Sequence, residues 1–500
     1  MTQSTPPRHA VVIGGGLAGL LAAAVLAEYA TVTIVDADGA SDGPRPRRGL
    51  PQARHAHVLW SGGARAIEAI LPGIGAQWTA AGAIRRGLPT DLVVMTARGW
   101  LPRCGEKQFG VSCSRDLLDS VVRNRVTALP GVTTLRRSRV RSLEGTADRI
   151  TGVRVDTPDE EGRFVAADLV VDAGGRGSRA LSRLAAVGVS GIRRSEVDSG
   201  LVCATRLFEA PEGAHELGFP IVSVQADPRV PVPGRTATIV PIENGLWQAT
   251  LSGTRGGRPT DDPDAFLPFA RAARHPIVGD LLAGREPLSD VVVTQDTANR
   301  RIHFEQADLP DGFFAVGDCV ATFNPLYGHG MTVAARGLLA VRALLRAGGL
   351  ARPGFGNAAQ RALARQVATA WELATSQDIR YPGATGPRPG PGAVLLDAYV
   401  GRLMTGATTQ EPLTAAFLEV ITLTGPPTRR LRPEVFRRVL RASPRGALKA
   451  PPLTAAERTV AGLDGSDGSG GARGTGGADG RGGTRGRGLG ADPDPAGRSR

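Results

Sequence analysis

The chain has 500 residues and a hydrophobic fraction of 41%, enough for two or three domains with substantial cores. Its formal net charge of +13 rests almost wholly on arginine, Lys107 and Lys449 being the only lysines. No aromatic residues are interleaved with the cations as stacking platforms, so nucleic acid is not an expected partner. No apolar run approaches the roughly 20 residues of a membrane span, and no secretory leader is recognised. Cys104, Cys113, Cys203 and Cys319 lack metal-ligand or redox spacing, so no metal is expected and a reducing, cytoplasmic setting is.

Residues 1–8 are polar and expected to fray. From His9 to Asp36 the pattern is strand, glycine turn, helix, strand. Gly14-x-Gly16-x-x-Gly19 leaves the first strand, with Leu17 and Ala18 opening an Ala- and Leu-rich helix. The first glycine permits the tight turn, the second lets the backbone approach a pyrophosphate, and the third lets helix pack on strand. Asp36, ending the second strand, is placed to accept hydrogen bonds from a ribose. A dinucleotide is therefore expected, with NAD and FAD both open at this point. Residues 151–176 read as further strands closing on Asp168–Asp172. Between about 195 and 255 short β-rich runs recur, with Glu243-Asn244-Gly245 as a hairpin turn because Asn-Gly accepts positive φ. This predicts an inserted antiparallel sheet.

The chain then returns with Phe313-Phe314-Ala315-Val316-Gly317-Asp318, followed by Asn324-Pro325-Leu326-Tyr327-Gly328-His329-Gly330-Met331. An aspartate ending a strand, as Asp318 does, can bind a polyol such as a ribityl chain. Pro325, Gly328, Gly330 and Met331 then bring a helix N-terminus against a ring system, where its dipole favours negative charge. With the N-terminal fingerprint, this points to a flavin. Helical patterns run from about Met331 to Thr375 and from about Ala393 to Leu440. From about residue 452 the composition predicts disorder.

These motifs resemble the flavoprotein monooxygenases of the p-hydroxybenzoate hydroxylase and squalene epoxidase type. Ser114-Arg115-Asp116-Leu117-Leu118 matches a further family element, which makes Arg115 a flavin-phosphate contact, and Val140 corresponds to the position whose backbone meets the adenine. Ala173-Gly174-Gly175-Arg176-Gly177-Ser178 departs from the family pattern: Gly174 replaces an aspartate, so that carboxylate's contacts cannot be carried over and the route of reduction stays open. A closer resemblance lies in Arg48 to Arg65, Asp198-Ser199-Gly200, Ala204 to Phe208, Asn324 to Met331 and Ala374 to Ile379. It is to the epoxidases of bacterial polyether-ionophore biosynthesis.

The resemblance implies an α/β fold: a Rossmann-type FAD-binding domain, p-hydroxybenzoate hydroxylase-like, with an inserted antiparallel β-sheet substrate domain and C-terminal helices. The expected boundaries are 1–195 and 301–375 for the FAD-binding domain, 196–300 for the substrate domain, 376–450 for the helices and 451–500 for the tail. The cofactor-side candidates are Gly14, Gly16, Leu17, Ala18, Gly19, Asp36, Arg48, Arg115, Val140, Asp318, Pro325, Gly328, Gly330 and Met331. His55 and His57 are expected to order the loop beside the cofactor. Trp247 and Phe208 are pocket candidates, though core is the safer assignment. No catalytic side chain is expected, because a flavin carries the chemistry.

The expected reaction uses NAD(P)H as transient reductant and O₂ as co-substrate, with oxygen passing from a C4a-hydroperoxyflavin to an alkene of a polyene polyketide. The substrate is either a small molecule or held on an acidic acyl carrier protein. Three rivals remain. An aromatic hydroxylase shares every flavin motif. A flavin halogenase is disfavoured because neither lysine is suitably placed. A flavin-binding partner protein without turnover is the third.

Overall fold

The computed structural model describes residues 8–39, 43–47, 49–388, 390–425 and 432–464. A fully parallel five-stranded sheet runs in the order Phe313–Ala315, Leu169–Asp172, His9–Ile13, Thr31–Asp36, Val132–Arg136. Its inner strands are buried on both faces, which explains their unbroken apolar runs. The helix Leu17–Leu26 is buried nearly all round, and its core cluster includes residues of the helices Arg115–Thr127 and Gly330–Gly348. Register matters more here than strand count. Ile13 pairs with Asp172, and Asp172 with Ala315. Three loops that are far apart in sequence therefore leave the carboxyl edge of the sheet side by side, where doubly wound folds hold their ligands.

A second sheet has seven strands, in the order Val292–Thr294, Val202–Glu209, Leu246–Gly253, Arg235–Ile242, Ile221–Val224, Leu92–Thr96, Gly99–Trp100. The strands of the inserted segment pair antiparallel with one another, as expected. They do not build the sheet alone, because the strands at 92–96 and 99–100 come from the first part of the chain, and Ile221–Val224 pairs parallel with Leu92–Thr96. The hairpin turn adopts the expected backbone, Asn244 and Gly245 having φ of 61° and 66°. A small antiparallel sheet of Val58–Trp60, Gln108–Ser112 and Ile84–Leu88 stands between the two larger ones, its Ser112 hydroxyl donating to the Pro241 carbonyl at 2.9 Å.

The C-terminal part contains the helices Phe355–Asp378, Pro391–Ala407, Glu411–Ile421 and Pro433–Leu440. The first runs unbroken through the expected boundary at 375. Disorder from 452 also needs correction. Ala455–Ala461 is a helix opened by a capping box, in which the Glu457 amide donates to Thr454 Oγ1 at 3.2 Å and the Thr454 amide to Glu457 Oε2 at 2.8 Å. The Glu457 carboxylate also accepts from Arg103 Nη1 at 2.5 Å, which pins this segment to the main body. The rest of the tail, 465–500, lies outside the described residues. Glu457→Gln is expected to lower stability by about 1–3 kcal/mol, through loss of a part-buried charge-assisted bond. Urea denaturation followed by circular dichroism checks this.

Candidate active site

At the nucleotide end, Gly14 has φ +98°, and a Cβ there would lie 2.6 Å from the Ala173 carbonyl oxygen. A Cβ on Gly19 would lie 1.9 Å from the Gly14 oxygen, whereas one on Gly16 would meet nothing within 4 Å. The turn is therefore closed on its protein side and open at Gly16, the position where a pyrophosphate needs the backbone bare. A Cβ on Gly317 would lie 2.7 Å from Ala18 Cβ. The two glycine segments thus meet, with Leu17 and Ala18 on one side and Asp318 on the other.

Both oxygens of Asp36 accept from Arg47 Nη2, at 2.7 and 2.5 Å, while Arg47 Nη1 donates to the Gly15 carbonyl at 2.5 Å and Nε to Asp38 at 3.1 Å. The carboxylate is held in place by an arginine and keeps further lone pairs to accept with. Arg48 lies outside the described residues; its neighbour Arg47 reaches the glycine turn. The Val140 carbonyl, part of the backbone expected to meet the adenine, accepts from Arg183 Nη2 at 2.7 Å.

At the other end, a Cβ on Gly330 would lie 3.7 Å from Asp318 Oδ1, so the Asp318 carboxylate sits over the N-terminus of the helix Gly330–Gly348. Among the described residues nothing donates a hydrogen bond to it. Burial pushes its pKa up, opposed by the charges of Arg115, Arg176 and Arg300. Arg115 spends its Nε on Asp119 Oδ1 at 2.7 Å, which leaves the Nη groups for an anion. Ser114 caps this helix, and its amide and hydroxyl both donate to the Glu243 carboxylate, the amide at 2.8 Å. The hairpin of the seven-stranded sheet therefore holds the start of the arginine's helix. Where Gly174 stands for an aspartate, buried Asp172 supplies a carboxylate instead. It accepts from the Gly174 amide at 2.9 Å, Ser178 Oγ at 2.8 Å and Arg183 Nη1 at 3.1 Å.

The loop 324–330 hangs on a residue that motif reasoning missed. Asp378, 1% exposed at the end of its long helix, accepts from Asn299 Nδ2 at 2.6 Å, Asn324 Nδ2 at 2.9 Å and Tyr327 Oη at 2.8 Å. Asn324 in turn caps Leu326, and Pro325 opens the short turn that ends at Gly328, φ +64°. A Cβ on Gly328 would crowd Trp60 Nε1 at 2.9 Å, and that nitrogen donates to the Tyr327 carbonyl at 3.1 Å. Buried His329 donates from Nε2 to the Ile421 carbonyl at 3.0 Å, and its Nδ1 is left without a partner. Met331 is buried behind it.

Facing this loop, the seven-stranded sheet presents two rows: Leu207, Gln248 and Val240, then Thr205, Thr250, Thr238 and Ser223. The segment Arg54–His57 lies across them. His55 Nδ1 bonds Thr205 Oγ1 at 2.7 Å, the Ala56 amide donates to Thr250 Oγ1 at 3.0 Å, and Gln248 Nε2 donates to the Arg54 carbonyl at 2.8 Å. His57 donates from Nδ1 to the His55 carbonyl at 2.7 Å. Burial lowers the pKa of both histidines to about 4, the Arg115 charge adding to the effect at His57. Phe208 and Trp247 point the other way, into the core behind the sheet. This front face carries a band of mutually bonded hydroxyls, Thr205 with Thr250 and Ser223 with Thr238.

The glycine cradle open at Gly16, the unpartnered Asp318 and the free side of Arg115 fit a flavin dinucleotide. Asp378→Asn turns an amide donor toward a ring of donors, and a tenfold or larger loss of FAD affinity is expected, from roughly 1–3 kcal/mol. Titrating the apoprotein by flavin fluorescence checks it. For His55 and His329, folded pKa values of about 4 lie below the ordinary 6.5. Their contribution to stability is therefore present above pH 6.5 and lost as pH falls toward 4, each on the order of 3 kcal/mol. His55→Gln is expected to flatten the acid limb of a stability profile measured over that window.

A family model described as FAD binding domain matches residues 8–347. Protein Rv3254 of Mycobacterium tuberculosis is 30% identical over 417 residues, covering 80% of this chain and 87% of that protein. The flavin-dependent brominase Bmp2 has a TM-score of 0.61 at 14% identity, covering 87% of this chain and 98% of its own. For p-nitrophenol 4-monooxygenase PnpA from Pseudomonas putida DLL-E4 the TM-score is 0.55 at 14% identity, with 89% and 99% covered. At such identities the two structures speak for fold alone. The family match spans both glycine segments and the strands that align them, and the chain belongs to the FAD binding domain family of flavoprotein monooxygenases.

Proposed function

We propose that this flavoprotein monooxygenase epoxidises alkenes of a polyene polyketide intermediate in polyether biosynthesis, using O₂ and NAD(P)H. The observation that supports the reading is the character of the front face of the seven-stranded sheet. It carries aliphatic side chains and hydroxyls already bonded to one another. Its buried histidine, His55, is held neutral with a pKa of about 4 and is spent on Thr205. Such a group is a poor base at neutral pH, whereas a phenol would have to be deprotonated before hydroxylation. An alkene is itself the nucleophile and asks for no base.

FAD, when bound, supplies the activation of O₂ that side chains do not. Residues of the chain do the rest. Gly14, Gly16 and Gly19 with the helix Leu17–Leu26 hold the diphosphate, with Arg115 as a further cation. Asp318 takes a polyol, and the start of the helix Gly330–Gly348 places positive potential against the ring. Asp378 and Trp60 fix the loop that orients that ring. Leu207, Val240 and Trp60 exclude water and bind an apolar chain, since a wet site lets activated oxygen escape as H₂O₂.

The FAD-loaded protein with NADPH, ¹⁸O₂ and a polyene bearing trisubstituted alkenes is expected to give an epoxide carrying one labelled oxygen, read by mass spectrometry. An unlabelled product overturns the reading. Turnover of phenols in place of polyenes would make the protein an aromatic hydroxylase.

A further inference from the structure

Arg86 is 3% exposed, yet among the described residues no carboxylate, carbonyl or hydroxyl accepts a hydrogen bond from it, and its Nε is sealed from solvent. Among the described residues the other buried arginine, Arg115, is paired with Asp119, and the part-buried Arg183 and Arg47 are paired with Asp172 and Asp36. A buried guanidinium with no acceptor is costly to fold around, and a protein that keeps one has a use for the charge.

Strand register shows where it stands. Arg86 pairs with Gly110, and Gly110 pairs with Trp60 on the far strand. Residues directly opposite share one face, so Trp60, Gly110 and Arg86 form a single row across the small sheet, Trp60 and Arg86 about 10 Å apart at two inter-strand steps. This is the face that meets the seven-stranded sheet, because Ser112 and Leu88, on the same side, contact Pro241 and the apolar cluster of Val240 and Leu92. Gly110 carries no side chain, and its neighbours close over it: a Cβ there would lie 2.6 Å from Val58 Cγ1 and 3.6 Å from the Trp60 ring. At one end Trp60 touches the loop 324–330. At the other, Arg86 Nη1 lies 3.7 Å from where a Gly218 Cβ would be, beside the turn before Phe219.

We infer that Arg86 receives the carboxylate of the substrate, which is therefore bound as a free acid. The inference rests on the proposed reading only for the nature of the substrate's chain. One guanidinium offers a planar fork that matches a carboxylate bidentately and balances one negative charge. A thioester to a carrier protein has no charge to offer it.

The probes are farnesoic acid, its methyl ester, and its neutral N-acetylcysteamine thioester as mimic of a carrier-bound chain. Each is titrated into the FAD-loaded protein and followed by the flavin absorbance change. The acid is expected to bind at least tenfold more tightly than either neutral form. Arg86→Met is expected to abolish that preference, and Arg86→Lys to keep part of it. Arg86→Met is also expected to raise the melting temperature of the ligand-free protein, since it removes an unpaired buried charge; a merely structural arginine would lower it. Equal binding of acid and neutral forms by the unaltered protein, no binding of the acid, or an unchanged preference in Arg86→Met overturns the inference. The ¹⁸O₂ experiment is read separately. Arg86-dependent binding without oxygen transfer leaves the carboxylate site standing and removes epoxidation.

Discussion

The buried Asp378 carboxylate is the constraint on which the site depends. Its three donors come from two separate places: Asn299 from the strand Asn299–Ile302, and Asn324 and Tyr327 from the loop 324–330. Burial opposes its ionisation and the three hydrogen bonds favour it. A carboxylate so enclosed is tolerated only when each lone pair is met. The same contacts therefore satisfy the acid and fix the loop. A long helix outside the nucleotide-binding motifs thus sets the backbone of this loop, and Trp60 braces it through the Tyr327 carbonyl.

Much of the fold was readable because its signals are local. Glycine spacing at 14–19 reports a backbone that admits no Cβ at Gly19, and the buried runs at His9–Ile13 and Phe313–Ala315 report strands covered on both faces. What escaped was set by distance. Arg47 lies in a segment without periodicity, and nothing local says that it turns back to the glycines. Asp378 lies within a block singled out by resemblance, Ala374 to Ile379, but its partners are brought to it by tertiary packing. Arg86 becomes notable only once Gly110 is seen between it and Trp60. The helix at 455–461 is a different case. Its signal, Thr454-x-x-Glu457, is a capping box plain in the sequence, and it was hidden by the glycine-rich composition that follows.

The seven-stranded sheet shows how two faces of one layer are given different work. Phe208, Trp247 and Ile239 alternate with Leu207, Gln248 and Val240 along neighbouring strands, so the bulky aromatics go to the rear core. The front keeps smaller residues and paired hydroxyls. Those hydroxyls bond to one another and to the His55 segment, which leaves a surface polar in composition but with few free donors or acceptors. Such a wall suits an apolar chain without demanding hydrogen bonds from it.

Glu243 carries a consequence for modularity. It sits in the hairpin turn of the seven-stranded sheet, and its carboxylate tethers Ser114, the cap of the helix that begins at Arg115. The two layers share one terminus, so neither is a self-contained part. Grafting this sheet from a relative, or recombining the chain between residues 196 and 300 to change what is bound, would carry away the anchor of a cofactor-side helix unless the turn kept its acid. The boundary that matters for engineering therefore runs around that turn and not through it.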